Sequence, residues 1–222
     1  APGEERWGDS VADLARARGV PVKLEEYLEA PSEEAVIRAA GPDFLFSFYF
    51  RKLIPERILS IPARGALNMH GSLLPAFRGR SPVNWAILKG APFTGASLHY
   101  MTGKPDAGDL VDQEQVPIGP DDEALTVARG VTEAAVTVLA RCWPKLKAGI
   151  APRTPLDLSK SSYFGGRKPE DGIIDWFRPA VEVHNLIRAV APPYPGAFCD
   201  TAKGKLKVLR SLHPSGETGP HG

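Results

Sequence analysis

The chain has 222 residues, 43% of them hydrophobic and 24% charged, with 27 Lys and Arg against 26 Asp and Glu for a formal net charge of +1. Usage this ordinary excludes disordered, fibrous and membrane-embedded classes, and the length suits one large domain with a smaller appendage. A nearly neutral molecule has no long-range field to draw it to nucleic acid or to an anionic membrane, so neither is expected as a partner.

The first predicted element is a helix beginning after Ser10, with Val11, Leu14, Ala15 and Ala17 near helical spacing and Gly19 placed to end it. A short extended stretch, Pro21 to Leu24, precedes a helix capped by Ser32, with Glu33 and Glu34 in its first turn and Gly41 as its stop. The unbroken run FLFSFYF, Phe44 to Phe50, reads as a strand buried on both faces. The next strand, Gly65 to Met69, runs straight into HGSLLP. Open parallel sheets bind ligands beyond the carboxyl ends of their strands, which puts His70 where chemistry is expected. Ser81 and Pro82 make an N-cap and first-turn pair for a helix through Ile87 that closes at Gly90. Strands at Ala96 to Met101 and Val111 to Pro117 flank the turn-rich loop TGKPDAGD, which carries Asp106. Asp121 and Asp122 open a long helix from Ala124 to about Arg141, and Pro144 is expected to break or kink it.

From Gly149 onward the composition changes. Lys160 to Arg167 is polar and glycine-bearing, and Pro169 and Pro179 each start a short helix. The second of these has Val183, Leu186, Ile187 and Val190 on one side, leaving His184 and Arg188 on a face read as solvated. The segment APPYPGAF cannot be regular helix, and two strands follow it, Gly196 to Thr201 and Lys205 to Leu212. The closing HPSGETGPHG reads as a linker or tail. Alternation of helices with buried strands points to an α/β fold, a doubly wound and mostly parallel sheet over residues 1–150, followed by a linker and a smaller helical and β part over 151–222. Trp85, Trp143 and Trp176 are expected in the core.

Only Cys142 and Cys199 occur, neither in a metal-ligand spacing, so both read as buried thiols of a reducing compartment. No run approaches the roughly 18 apolar residues that span a bilayer, and APGEERWGDS lacks a basic segment followed by an apolar one. The cytoplasm is therefore the expected location.

Residues 66 to 85 read ALNMHGSLLPAFRGRSPVNW. An Asn-x-His pair on a strand points both side chains to the same face. Taken singly, Asn68 reads as a turn former, His70 as a satisfied buried imidazole and Asp106 as a turn residue before Gly108. Ser72, close to a histidine, invites a hydrolase reading, but G-x-S-x-G is missing and the two residues are near in sequence rather than meeting through space. No G-x-G-x-x-G follows a strand, so a nicotinamide cofactor is not indicated.

Taken together, Asn68, His70, the intervening HGSLLP and RGRSP, and the later Asp106 resemble the folate-dependent formyltransferase family. The similarity runs over nearly the whole chain. The segments SFYFRKLI, RGRSPVNW, FGGRKPED and HNLIRAVAPPYPGAF look most like the UDP-4-amino-4-deoxy-L-arabinose formyltransferases. The resemblance implies that Asn68, His70 and Asp106 are catalytic and that 10-formyltetrahydrofolate is the co-substrate, with no metal. It places the folate contacts at Lys52, Leu53, Ile54 and Arg80 and in the loop Thr102, Gly103, Lys104, Pro105 and Asp106. That loop, TGKPD, departs from the basic residue and alanine that precede the aspartate in the sugar enzymes, so backbone contacts are expected there more than side-chain ones. The resemblance also implies a C-terminal part like an incomplete OB barrel. Set beside the family, the chain begins after its opening strand, helix and second strand, and stops before the barrel is finished.

Such a reaction needs donors aimed at the oxygen of a tetrahedral centre, and a route for the proton that the attacking amine must lose. Asn68 offers an amide donor, a protonated His70 a second, and Asp106 a carboxylate to orient the imidazole. The expected acceptor is a nucleotide-linked amino sugar, most simply UDP-4-amino-4-deoxy-L-arabinose. A methionyl-tRNA formyltransferase is the alternative, disfavoured because a polyanionic substrate calls for a basic surface. A hydrolase that releases formate from the folate fits the C-terminal third less well. A truncated folate-binding remnant is the non-enzymatic alternative, and a homo-oligomer is left open.

Overall fold

A computed structural model describes residues 10–23, 31–50 and 52–213. Strands β1 (Leu45–Phe48), β2 (Ala66–His70), β4 (Phe93–Tyr100) and β5 (Leu110–Pro117) form one sheet in the order β1-β2-β4-β5. β1 pairs with β2 in parallel, while β2 with β4 and β4 with β5 are antiparallel. The short return over residues 101–109 is of a length that only an antiparallel neighbour permits. Helices α1 (Val11–Ala17), α2 (Pro31–Ala40) and α3 (Glu56–Leu59) precede or follow β1, and α4 (Pro82–Leu88) joins β2 to β4 by way of a short strand β3 (Arg78–Gly79). The α/β fold with a smaller C-terminal part stands as expected.

The core lies between the sheet and the long helix α5 (Ala124–Ala148). Val127, Val131, Ala134, Val138, Cys142 and Leu146 recur at helical spacing and are buried against Leu67, Met69, Ala96, Leu98 and Tyr100. Helix α4 adds Val83, Ala86 and Ile87. Because strand side chains alternate, the residues between these inward ones, Asn68, His70, Ser97 and His99, share the opposite face of β2 and β4. That face carries the candidate site.

After residue 150 the chain is stitched to the first part. Strand β6 (Tyr163–Phe164) pairs in parallel with β3, Thr154 bridges to Leu110, and Trp85 donates its indole N–H to the Gly165 carbonyl at 2.9 Å. Helix α6 (Ala180–Ala189) packs on α4, and the hairpin of β7 (Ala197–Thr201) and β8 (Gly204–Val208) covers a second core of Ile174, Ile187, Val190 and Ala197.

Several elements differ from the sequence reading. The strand expected over Phe44 to Phe50 is limited to β1. Phe48, Tyr49 and Phe50 are 48%, 62% and 42% exposed, since among the described residues β1 pairs on one side only. Helix α2 starts at Pro31, ahead of the expected cap at Ser32. Ser81 does precede α4, but in left-handed conformation and without a side-chain cap bond. Pro144 neither breaks nor ends α5. The following turn is held by buried Leu146, by the left-handed Gly149 at its C-cap and by the Arg64 guanidinium on the carbonyls of Leu146 and Lys147. The second C-terminal strand is shorter than expected, ending at Val208. Trp176 and Trp143 are 58% and 42% exposed rather than core residues. His184 and Arg188, read as solvated, are buried: His184 faces the Pro120 carbonyl, and Arg188 donates to the carbonyls of Gly119 and Asp122. Cys142 is buried as expected, and burial pushes its thiol up to about 11, whereas Cys199 is half-buried. Leu24 of the expected extended stretch and residues 214–222 of the tail lie outside the described residues.

Leu98 is fully buried between sheet and helix. Leu98→Ala is expected to lower stability by about 2–5 kcal/mol, measured by chemical denaturation, because the sheet cannot collapse onto the space left behind.

Candidate active site

The site is built at the carboxyl ends of β1 and β2, which lie side by side in parallel, with Phe48 opposite Met69. β2 ends on His70, and the next four residues form a turn fixed from the neighbouring strand. Ser97, cross-strand to His70, donates from its hydroxyl to the Ser72 carbonyl at 2.7 Å and accepts from the Leu74 N–H at 3.1 Å. Ser72 itself is fully buried and donates to the Ala76 carbonyl at 2.6 Å, so it is a structural hydroxyl and no nucleophile.

Asp106 is the meeting point. Its Oδ1 lies 3.6 Å from His70 Nδ1, 3.5 Å from Asn68 Nδ2 and 3.5 Å from His99 Nε2, while its Oδ2 accepts from the Gly79 N–H at 2.9 Å. Asp106 stands in the left-handed region at φ 48, a conformation that aspartate tolerates better than most residues. Burial pushes its carboxyl up, but the His99 contact, the field of His70 and the Gly79 N–H together outweigh that and hold it down at about 2. The group is therefore a carboxylate throughout the neutral range.

His70 is 6% exposed. Its Nε2 is 2.9 Å from the Phe77 carbonyl, which can only accept, so Nε2 carries the proton and Nδ1 turns its lone pair toward Asp106. Burial is the largest influence and drives its pKa below the ordinary 6.5, against the opposing pull of Asp106 and the Phe77 carbonyl. His99 and Arg78 add to the lowering. Phe77 is itself left-handed, at φ 54, and is held there by its N–H to Ser162 Oγ at 2.8 Å. Arg78 is buried and donates from Nη2 to the Pro105 carbonyl at 2.6 Å, tying the β3 turn to the loop that carries Asp106.

The structure thus brings together Asn68, His70 and Asp106, three residues expected to act as one group. It adds a fourth, His99, which sequence reading passed over. His99 is 1% exposed, pairs directly across the sheet from Asn68, and approaches Asn68 Nδ2 at 3.2 Å. The sequence does carry a signal for it: on β4 the alternating partners of apolar Ala96, Leu98 and Tyr100 are polar Ser97 and His99, a polar face on an internal strand.

The segments expected to hold the folate border this centre. Residues 52–54 follow β1 out of the same sheet end as His70, with Lys52 and Leu53 exposed and Ile54 half-buried, and they lead into α3. The Glu56 carboxylate of α3 lies close enough to Gly103 that a methyl group there would sit 3.4 Å from it, so the 52–56 segment and the Thr102 to Asp106 loop are neighbours. Thr102, Gly103 and Lys104 are exposed and Pro105 half-buried. Arg80 is exposed, one residue past the N–H that binds Asp106, and its guanidinium lies over Gly166. Among the described residues no group of three or more His, Cys, Asp or Glu is placed to hold a metal ion, and no helix is long and apolar enough to cross a membrane.

The family model described as formyl transferase matches residues 15–142, more than half of the chain, and the formyl transferase C-terminal domain matches residues 167–221. The chain belongs to the formyl transferase family. Solved structures resemble this formyltransferase across most of its length. A 4-N formyltransferase from Francisella tularensis matches with a TM-score of 0.76 at 21% identity, over 91% of this chain and 82% of that one. An N-formyltransferase from Helicobacter canadensis, in complex with folinic acid and dTDP-3-aminofucose, has a TM-score of 0.76 at 20% identity, over 98% and 76%. A methionyl-tRNA formyltransferase from Clostridium thermocellum has a TM-score of 0.68 at 18% identity, over 92% and 88%. At such identities the likeness is one of fold.

Two predictions arise from the geometry of this formyltransferase. The folded protein keeps His70 neutral, whereas the unfolded chain takes up a proton at that residue as pH falls below 6.5. The contribution of His70 is therefore complete above that pH and is lost as pH drops through its lower folded value. Thermal unfolding from about pH 7.5 to about pH 5.5 should show a steeper loss of Tm in the native enzyme than in His70→Gln. Asp106 adds a second loss only between the ordinary 3.8 and about 2. Gly79, at φ +96, would put a Cβ 2.2 Å from the Phe164 carbonyl oxygen, whereas around Gly165 there is open space. Gly79→Ala is expected to cost at least about 1–3 kcal/mol in the same measurement, and Gly165→Ala much less.

Proposed function

We propose that this enzyme transfers a formyl group from 10-formyltetrahydrofolate to the amine of a nucleotide-linked amino sugar, through a tetrahedral intermediate. The observation that carries the reading is the approach of Asn68 and His70, from one strand, to one carboxylate oxygen of Asp106, from a distant loop, within 3.6 Å. An amine attacking a formyl carbon must shed a proton, and the departing folate nitrogen must gain one. His70, buried and held neutral, is competent to take that proton, and the Asp106 carboxylate beside Nδ1 stabilises the imidazolium that results. The proton can then pass to the leaving nitrogen. As both nitrogens of His70 face protein groups, the ring or its partners must shift as ligands bind. Asn68 is the one half-buried residue of β2, between buried neighbours, and in this reading it meets the reacting groups directly.

A flat pterin carries donors and acceptors along its edge, and exposed backbone in the Thr102 to Asp106 loop suits it, with Leu53 and Ile54 available to cover a face. Lys52 and Arg80 are cations on either flank for the acidic tail of the folate. The acceptor class is favoured by the segments RGRSPVNW and FGGRKPED, which meet in space where Trp85 bonds Gly165, and by a net charge of +1 that offers little to tRNA. UDP-4-amino-4-deoxy-L-arabinose is the first acceptor to test. Unpaired thiols at Cys142 and Cys199 suit the reducing cytoplasm.

The experiment is a panel of amine acceptors supplied with 10-formyltetrahydrofolate and read by mass spectrometry for formylated product. UDP- and dTDP-linked amino sugars stand against initiator methionyl-tRNA. A formylated amino sugar nucleotide is expected, and formylated tRNA alone would reject the acceptor class. On the best acceptor, His70→Ala and Asp106→Asn should each lower kcat by on the order of 10²-fold or more.

A further inference from the structure

We propose that His99 is a positioning residue for the transfer, fixing which end of the Asn68 carboxamide meets the reacting groups. The inference rests on the formyl-transfer reading above. His99 Nδ1 lies 2.8 Å from the carbonyl oxygen of Tyr100, which can only accept, so Nδ1 carries a proton and the ring is anchored by its own strand. Its other nitrogen, Nε2, faces Asn68 Nδ2 at 3.2 Å. Nε2 also lies 3.5 Å from Asp106 Oδ1, but with Nδ1 protonated the neutral ring has no second proton to give, so Nε2 is the bare nitrogen and accepts from the nearer amide NH2, which can only donate. The second hydrogen of the same NH2 points toward Asp106 Oδ1 at 3.5 Å.

Both amide hydrogens of Asn68 are thereby committed inside the protein, and the carboxamide oxygen is left without a partner among the described residues. An oxygen presented in this way accepts a hydrogen bond. Its natural donor is the N–H of the attacking amine, which it would hold with the lone pair aimed at the formyl carbon. Orienting a nucleophile so is worth orders of magnitude in rate, and a small misplacement forfeits much of it. Asn68 then acts first as an acceptor for the nucleophile, in contrast to the donor role toward the oxyanion that its residue type suggests.

Two further features single out His99. It is almost completely buried, where an imidazole is tolerated because both nitrogens have partners, Tyr100 on its own strand and Asn68 across the sheet. The pairing of β4 with β5 also shifts register at Leu98/His99, and such irregularities beside active sites re-aim a side chain.

Histidine 15N NMR of the intact enzyme reads the tautomer directly, with the His99 signals assigned by their loss in His99→Gln. A protonated Nδ1 and a bare Nε2 are expected, and a protonated Nε2 overturns the proposal. With the acceptor identified by the panel, His99→Leu should lower kcat by on the order of 10- to 100-fold while KM for the folate changes little. His99→Gln keeps an oxygen able to accept from Asn68 and should recover most of that loss. In an Asn68→Ala background, His99→Leu should cost almost nothing more, because its effect runs through Asn68. Equal losses in both backgrounds mean that His99 only fills space, and they overturn the proposal. If His99→Leu does not fold, the tautomer and the glutamine variant still decide. A panel in which no amine is formylated rejects the transfer reading itself, an outcome distinct from a wrong tautomer in an active enzyme.

Discussion

One half-buried carboxylate ties the elements of the candidate site together. Asp106 accepts from a backbone N–H and is surrounded by a carboxamide and two imidazoles, groups drawn from three places in the fold. β2 supplies Asn68 and His70, β4 supplies His99, and the β3 turn supplies Gly79. Removing a charge from water costs several kcal/mol unless such partners replace the solvent. The loop between β4 and β5 is therefore not free to wander, although loops are commonly the least constrained part of a domain. The left-handed backbone at Asp106 and Phe77 shows where local conformational preference yields to this requirement.

The candidate trio is legible in the sequence because its information is local. Asn68 and His70 sit one residue apart on a strand whose ends are marked by glycines, and Asp106 lies in a loop rich in turn formers. His99 was not legible in the same way. ASLHY looks like any internal strand, and the importance of its histidine depends on a register that sets it opposite Asn68 across 31 residues of chain. His184 and Arg188 failed for a related reason. A helical pattern of this kind points to water, but the carbonyls of the 119–122 loop, distant in sequence, provide their environment. Pro144 was misread because a proline weighs heavily on propensity, while the packing of Leu146 and the reach of Arg64 are tertiary effects that can outweigh it.

The segment between the two matched family regions backs the candidate site. The turn that presents Phe77 to His70 is held from the far side by Ser162, Tyr163 and Phe164, and the stack of Phe77, Phe164 and Trp85 fills the space behind it. The long helix α5 packs on the opposite face of the sheet. Stability and site geometry are thus carried by different faces of the same strands, as is usual where a rigid sheet supports reactive loops.

The parallel bridge between β3 and β6 has a temporal consequence. During synthesis the sheet and α5 can collapse as soon as residue 148 has emerged, yet the Arg78 and Arg80 amides wait for carbonyls at Ser162 and Phe164. At about 5–20 residues per second the nascent protein spends on the order of a second with a packed core and an unassembled reaction centre. Compactness thus precedes completion of the candidate site, whose backing is absent until the chain beyond the long helix has been made.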